Sequence, residues 1–336
     1  MRRMEMRVGI VGAGTMGRVH GESHREAGHE VVAVYDLRPE AREALARETG
    51  ARPAESYEDL LGDPAVEVVD ICLPTHLHRE YVEAAARAGK HVICEKPIAL
   101  SLADARAMIE TCQAARVHLY IAHVVRFFPE YRRARELVLA GEVGRPGIIR
   151  TSRMGGFPAG WADWYAQPEM GGTVLVDLVI HDFDWLRWTF GEVERVYAKS
   201  LTGRTAERLD YALVTLRLAS GAIAHVEGSW AHPGFRYAFE IAGDAGVLEF
   251  DSARVQPLVV RPRQAGHGSG PAGVEVPESP LAESPYTTQL RHFARCIRGE
   301  EKPVVTAWDA YKALAISLAA LESARTGRPV SLGKEG

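Results

Sequence analysis

Lysine is scarce in this chain: of 40 basic residues six are Lys, leaving 40 − 6 = 34 Arg. A lysine at the end of a strand is therefore conspicuous. Cysteine is scarce too. The four present, Cys72, Cys94, Cys112 and Cys296, show no CxxC spacing and no His pairing. That argues against a structural zinc site and a disulfide framework, and it fits a reduced, cytoplasmic setting. No stretch approaches the ~20 consecutive apolar residues of a membrane-spanning helix. The basic N-terminus runs at once into a strand and a glycine loop, without the apolar core of a secretory signal. A net charge of −4 gives neither nucleic acid nor an anionic membrane a reason to bind. No internal repeat is visible. What remains is a 336-residue chain, 46% apolar and 25% charged, the profile of a soluble globular protein long enough for two domains.

The first 120 or so residues alternate β-branched runs with amphipathic helices. Strands are expected at Val8–Val11, Val31–Tyr35, Val66–Cys72, His91–Cys94 and Leu119–Ala122. Helices are expected near Met16–Ala27, Ala41–Thr49, Arg79–Ala88 and Leu102–Ala115. Such alternation implies right-handed crossovers and a parallel sheet covered on both faces. After about Gly144 the pattern changes. A strand at Pro146–Arg153 and a helix over Thr173–Trp188 precede runs of period two at Val193–Leu201, Tyr211–Leu218, Ala222–Ser229, Tyr237–Ala242, Gly246–Phe250 and Val255–Arg261. Short turns between them indicate a mostly antiparallel sheet. Gln264–Ser284, rich in Gly, Pro and Ser, reads as a mobile surface loop. Helices near Thr287–Arg298 and Ala307–Thr326 close the chain, the last expected to pack back on the first unit.

Gly12-x-Gly14-x-x-Gly17 follows the first strand and opens the first helix. In that context the glycines permit a tight turn, close approach of backbone to a pyrophosphate, and helix–strand packing. Thr15 and Met16 belong to the same loop. Asp36 ends the second strand, 36 − 17 = 19 residues after the last glycine, where a carboxylate binds ribose hydroxyls and repels a 2′-phosphate. NAD is therefore the expected cofactor. Arg38, two residues on, keeps NADP open, because a guanidinium there could hold that phosphate. Leu73, Pro74 and Thr75 follow another strand end at the cofactor-binding edge. His78 either joins them at the cofactor or caps and packs the next helix.

Glu95-Lys96-Pro97 ends the strand His91–Cys94 and delivers an ammonium group towards the same edge. Asp177 and His181 stand i and i+4 on the expected helix, one above the other, where the carboxylate would orient the ring and raise its pKa. Alone, a histidine on an apolar helix is more often a core residue than a catalyst. The three motifs in this order, with Ala88-Gly89-Lys90-His91-Val92-Ile93-Cys94-Glu95-Lys96-Pro97 and His123-Val124-Val125-Arg126-Phe127-Phe128-Pro129-Glu130-Tyr131, resemble the Gfo/Idh/MocA oxidoreductase family of inositol 2-dehydrogenase and glucose–fructose oxidoreductase type. The resemblance covers nearly the whole chain and is weakest from about 255 to 285.

The resemblance implies an α/β fold: an N-terminal Rossmann dinucleotide-binding domain (1–122) and a C-terminal α+β domain (123–336) with a large, mostly antiparallel open sheet. The back of that sheet would form homodimer or homotetramer contacts. It implies hydride transfer between a polyol, inositol or sugar-derivative hydroxyl and NAD or NADP, with Lys96, Asp177 and His181 catalytic. His181 would be the general acid/base, Lys96 the alkoxide stabiliser and Asp177 the orienting carboxylate. The lysine supplies the positive charge, so no metal is expected. A cis peptide before Pro97 is implied by the family. Glu95 either stays near the nicotinamide or pairs with a helix terminus. Arg153, Trp161, Asp163, Trp164 and Tyr165 are candidate substrate contacts, although the aromatics could equally pack on one another. Trp230, His232 and Tyr237 are candidates for a far wall. Arg126 either reaches the site or braces the domain junction, the second reading being preferred, and Arg132, Arg133 and Arg135 read as a solvated helix face. Two rivals stand beside a net dehydrogenase: glycoside processing with retained cofactor, and a non-catalytic dinucleotide sensor.

Overall fold

The computed structural model describes residues 6–204, 209–254, 258–262, 274–276 and 283–333. The first part is a six-stranded parallel sheet of β1 (Arg7–Val11), β2 (Glu30–Tyr35), β3 (Arg52–Pro53), β4 (Val68–Ile71), β5 (His91–Cys94) and β6 (Leu119–Ile121), in the order β3-β2-β1-β4-β5-β6. The helices α1 (Thr15–Ala27), α2 (Pro39–Thr49), α3 (Tyr57–Gly62), α4 (His78–Arg87) and α5 (Leu102–Ala114) connect these strands. Val8, Ile10 and Val11 are all buried, as a strand covered on both faces requires. The order changes direction at β1, so the crevice beyond the ends of β1 and β4 is the place where such sheets bind ligands.

The second part is built on a nine-stranded mixed sheet. Its elements are α6 (Pro129–Leu139), β7 (Pro146–Gly156), α7 (Pro168–Gly171), α8 (Ile180–Phe190), β8 (Val193–Arg204), β9 (Leu209–Leu218), β10 (Ile223–Ser229), β11 (Ala231–Gly243), β12 (Gly246–Asp251), β13 (Leu258–Pro262), β14 (Val274–Val276), α9 (Pro285–Ile297), α10 (Ala307–Thr326) and β15 (Val330–Ser331). The strands run β14-β13-β12-β11-β7-β10-β9-β8-β15, and among the described residues only β7 and β10 pair in parallel. Burial alternates along β9: Ala212, Val214, Leu216 and Leu218 face the core, while Leu213 is exposed on the other side. One face is thus covered and the other open. Of the expected loop Gln264–Ser284, the described residues are the edge strand β14 together with Glu283 and Ser284, and the remainder lies outside the described residues.

The last two helices tie the parts together. On α9, Leu290 and Phe293 join a buried cluster with Val8, Ile10 and Leu45. The long helix α10 begins with a reciprocal cap between Thr306 and Asp309. Its Ala310, Ala313 and Leu314 pack with Ile98, Met108 and Ile121, and its Ile316 and Ala320 pack under the large sheet. No helix among the described residues is long and apolar enough to cross a membrane.

The helix expected over Thr173–Trp188 is not continuous. Gly172 adopts φ +78°, Thr173 caps the next turn, and Val174–Leu178 forms a π-turn before α8 begins at Ile180. The bond from the Val179 amide to the Val174 carbonyl, 3.0 Å, spans five residues instead of four. One extra residue rotates the downstream helix by about 100°. Asp177 and His181 therefore do not stack as i and i+4 of a regular helix.

Candidate active site

At the carboxyl edge of the parallel sheet, Gly12 (φ +98°) makes the turn into α1, and a Cβ there would lie 2.4 Å from the Cys72 carbonyl oxygen. A Cβ on Gly17 would lie 1.9 Å from the Gly12 carbonyl oxygen, whereas one on Gly14 would meet nothing within 4 Å. Gly17 thus serves packing and is absent from the wall, while Gly14 opens onto a cavity at the helix N-terminus. That cavity, about 580 Å³, is also lined by Thr15, Met16, Asp36, Arg38, Leu73, Pro74 and Thr75. Donors at a helix N-terminus, a carboxylate at the end of β2 and an apolar floor are what a dinucleotide needs, so the residues fit NAD.

The same cavity continues to Lys96, Asp177 and His181. The Lys96–Pro97 peptide is cis. Lys96 Nζ donates to the Asp177 carbonyl at 2.8 Å and to Asp177 Oδ1 at 2.9 Å. An ammonium has three donors, so one remains for a ligand oxygen. His181 lies beside them, half-buried, with Nδ1 buried and without a hydrogen-bond partner. Burial, then the positive charges of Lys96 and Arg153 and the neighbouring His123, hold its pKa well below the ordinary value. The expected carboxylate-raised imidazole is corrected here. The π-turn swings Asp177 towards Lys96, and the ring faces cations instead.

The oxidoreductase family with an NAD-binding Rossmann fold, GFO_IDH_MocA, matches residues 6–123, and the GFO/IDH/MocA C-terminal domain matches residues 131–249. The chain belongs to the Gfo/Idh/MocA family. It is 31% identical to a myo-inositol 2-dehydrogenase of Thermotoga maritima, over 97% of this chain and 98% of that one. It is 33% identical to a 1,5-anhydro-D-fructose reductase of Ensifer adhaerens, again over 97% and 98% of the two chains. A levoglucosan dehydrogenase solved with NADH and levoglucosan superposes with a TM-score of 0.87 at 24% identity, covering 98% of this chain and 100% of that one, a likeness of fold. The parallel sheet is accordingly an NAD-binding Rossmann domain, and the chain is an oxidoreductase of this family.

Other expected contacts of this Gfo/Idh/MocA site fall out differently. His78 is fully buried away from the cavity, its ring nitrogens 2.9 Å from the carbonyl oxygens of Pro97 and Leu73. It braces two cofactor-edge loops and does not line the site. Asp36 already accepts four hydrogen bonds: Oδ2 from the Ala13 amide (2.7 Å) and Arg38 Nη2 (2.9 Å), Oδ1 from the Arg38 amide (2.8 Å) and Nε (3.0 Å). Although burial opposes it, those bonds hold the Asp36 carboxyl below its usual range. Both oxygens are taken, so ribose hydroxyls compete with Arg38 for them. Arg153 lines the wall, but its guanidinium is buried against Asp182 (2.7 Å) and the Tyr131 hydroxyl (2.9 Å), bracing the site. Arg126, also buried, forks onto Asp184 at 2.7 and 2.6 Å and reaches the Val304 carbonyl, joining three segments at the junction. Arg135, expected on a solvated face, stacks on Trp188 at 4.3 Å.

On the substrate side, Trp164 and Tyr165 stack with ring centroids 3.7 Å apart, and Tyr165 meets Trp230 edge-on. All of Trp161, Trp164 and Tyr165 line the cavity, with Trp161 58% exposed at its mouth. The far wall is Phe235, not Trp230, His232 or Tyr237, which are absent from the lining. Trp230 is buried, and the Tyr237 hydroxyl is bonded to Glu130. The register of β11 is irregular between Ala231 and Arg236, so simple alternation could not indicate which side chain reaches the site. Tyr286, carried in on α9, also lines the cavity and had no motif to announce it.

Proposed function

We propose that this protein is an NAD(P)-dependent dehydrogenase acting on a hydroxyl of a polyol, inositol or sugar derivative. The observation that carries the reading is Lys96, its ammonium anchored on Asp177 with one donor left over, beside a neutral His181 in the cavity that the glycine loop opens. When bound, NAD supplies a nicotinamide ring that accepts hydride from the carbinol carbon. The protein's task is the proton. His181, neutral at working pH, accepts it from the hydroxyl. Lys96 donates to the same oxygen and stabilises its developing negative charge. Asp177 fixes the ammonium and takes a neighbouring substrate hydroxyl.

Gly12, Gly14, Thr15, Met16, Leu73, Pro74 and Thr75 would hold the cofactor, with NAD preferred through Asp36. Aromatic walls at Trp161, Trp164, Tyr165 and Phe235 suit the C–H faces of a carbohydrate, and relatives named for inositols and an anhydrosugar support that class. The division of labour assigns residues 1–122 to cofactor, and 123–336 to substrate and to subunit contact through the open face of the large sheet. That face carries exposed Ile148, Tyr197 and Leu213. Sedimentation of the purified protein as a dimer or tetramer supports the last point, and a monomer overturns it.

The deciding experiment is titration with NAD and NADP, then absorbance of reduced nicotinamide across inositols, sugars and sugar acids. Sustained formation with one compound class supports the reading. Cofactor binding without turnover on any of them overturns it in favour of a retained-cofactor enzyme or a sensor.

A further inference from the structure

Behind the floor of the cavity lies a chain of buried titratable groups that the proton chemistry above does not use. His20 Nδ1 is 2.8 Å from Asp70 Oδ2, and His20 Nε2 is 3.0 Å from Glu95 Oε1. His24 Nε2 bonds the same Asp70 oxygen at 2.8 Å, and His24 Nδ1 meets His29 Nδ1 at 2.9 Å. His20, His24 and Asp70 are fully buried, and Glu95 is buried except where it lines the cavity. Its second oxygen accepts the Lys96 amide at 3.0 Å. Burial alone would strip His20 of its proton, but the charge and hydrogen bond of Asp70 overrule it and raise its pKa well above the ordinary value. Burial likewise opposes the Asp70 carboxylate, and the two imidazoles nevertheless hold its pKa low. His24, stripped by burial, stays neutral.

Two carboxylates around one imidazolium leave one net negative charge under an otherwise apolar sheet. Well-packed apolar residues would be cheaper there, so the arrangement calls for a charged ligand to act upon. An oxidised nicotinamide ring is positive and a reduced one is neutral. We propose that His20 is a positioning residue for the cofactor: it clasps Glu95 from behind, holds its carboxylate at the catalytic end of the cavity, and so tightens the site for the oxidised nicotinamide relative to the reduced one. This rests on the reading that hydride is exchanged beside Lys96. The other titratable groups around Glu95 do not share the charge. Burial keeps the thiols of Cys72 and Cys94 and the phenols of Tyr165 and Tyr286 protonated, and it keeps His78 neutral. Lys96 Nζ is turned to Asp177.

The test is the ratio of dissociation constants for NADH and NAD⁺, measured by nicotinamide fluorescence and calorimetry with no polyol present. Glu95→Gln is expected to lower that ratio roughly tenfold, the scale of one charge acting at an effective dielectric of about 20, or about 30 mV for a two-electron couple. His20→Gln, which removes the ring that holds the Glu95 carboxylate in place, is expected to lower the ratio as well. The double variant should fall no further than Glu95→Gln. An unchanged ratio in Glu95→Gln overturns the proposal even if His20→Gln does not fold. So does a ratio that rises in His20→Gln, or additive losses in the double variant. Because no substrate is turned over, failure here is separate from failure of the dehydrogenase reading, which the substrate panel decides.

Discussion

Replacing Lys96 by Ala should slow turnover by roughly 10²–10³-fold while leaving cofactor affinity nearly unchanged. Two of the three ammonium donors are committed to Asp177, at 2.8 and 2.9 Å, and one remains for the reacting oxygen. A single well-placed donor to a developing oxyanion is worth about 3–4 kcal/mol, which is the stated factor in rate. The same substitution has a second effect with a definite sign. After burial, Lys96 is the largest influence holding the His181 pKa down. Removing that positive neighbour raises it. In the proposed role His181 must be neutral to accept the hydroxyl proton, so the acidic limb of alcohol oxidation should lie below the ordinary histidine range in the native protein and move to higher pH in the variant. Initial rates of nicotinamide reduction from mildly acidic to mildly alkaline pH report both effects, and fluorescence titration reports cofactor binding. Turnover within about tenfold of the native enzyme, or an acidic limb that does not move, would refute the roles given to this pair.

Arg38→Ala should remove one hydrogen bond from each Asp36 oxygen and open that position to a ribose hydroxyl, the backbone bonds from Ala13 and residue 38 remaining. For this partly exposed pair about 1 kcal/mol is at stake, so NAD should bind a few-fold tighter and NADP more weakly; unchanged affinities for both would show that the Asp36–Arg38 pair does not set cofactor preference. Asp184→Asn leaves the buried Arg126 guanidinium with Asp309, 3.5 Å away, as its remaining anion, a loss of about 3 kcal/mol and a drop in melting temperature on the order of 5 °C. A melting curve coincident with the native one would refute the bracing role. Trp161→Ala should raise KM for the substrate roughly threefold to tenfold with kcat retained, and a fall in kcat at unchanged KM would place Trp161 with the reacting atoms instead.

The cofactor half of the site was legible because its signals are local. A tight turn, an open helix N-terminus and an acidic strand end are each written in consecutive residues, and Gly12, Gly14 and Asp36 sit where such rules put them. Lys96 was legible for the same reason. What the sequence concealed depends on backbone irregularity or on distant segments. A regular helix puts Asp177 under His181, and only the extra residue of the π-turn redirects it to Lys96. Arg153 offers no sign in its own neighbourhood that Asp182, 29 residues on, will neutralise it. Phe235 lies beyond a register shift, and Tyr286 arrives from a helix that follows a Gly- and Pro-rich stretch. The fold classes were readable from periodicity. The single parallel pair, β7 with β10, was not, because period two says that strands exist and not which of them are neighbours.

The packing of α9 and α10 against the first sheet has a consequence for how the protein is made. The strands and crossovers that hold the cofactor are complete at β6, yet the apolar faces covered by Leu290, Phe293, Ala313 and Leu314 wait for residues translated near the end. From Ile121 to Thr326 is 326 − 121 = 205 residues, roughly 10–40 s of synthesis at about 5–20 residues per second. For that interval the nascent first half exposes a surface that only its own far end can cover. The enzyme is therefore closed by its last helices, and a shortened chain that stops before α10 loses the covering of its cofactor-binding half, not merely a terminal ornament.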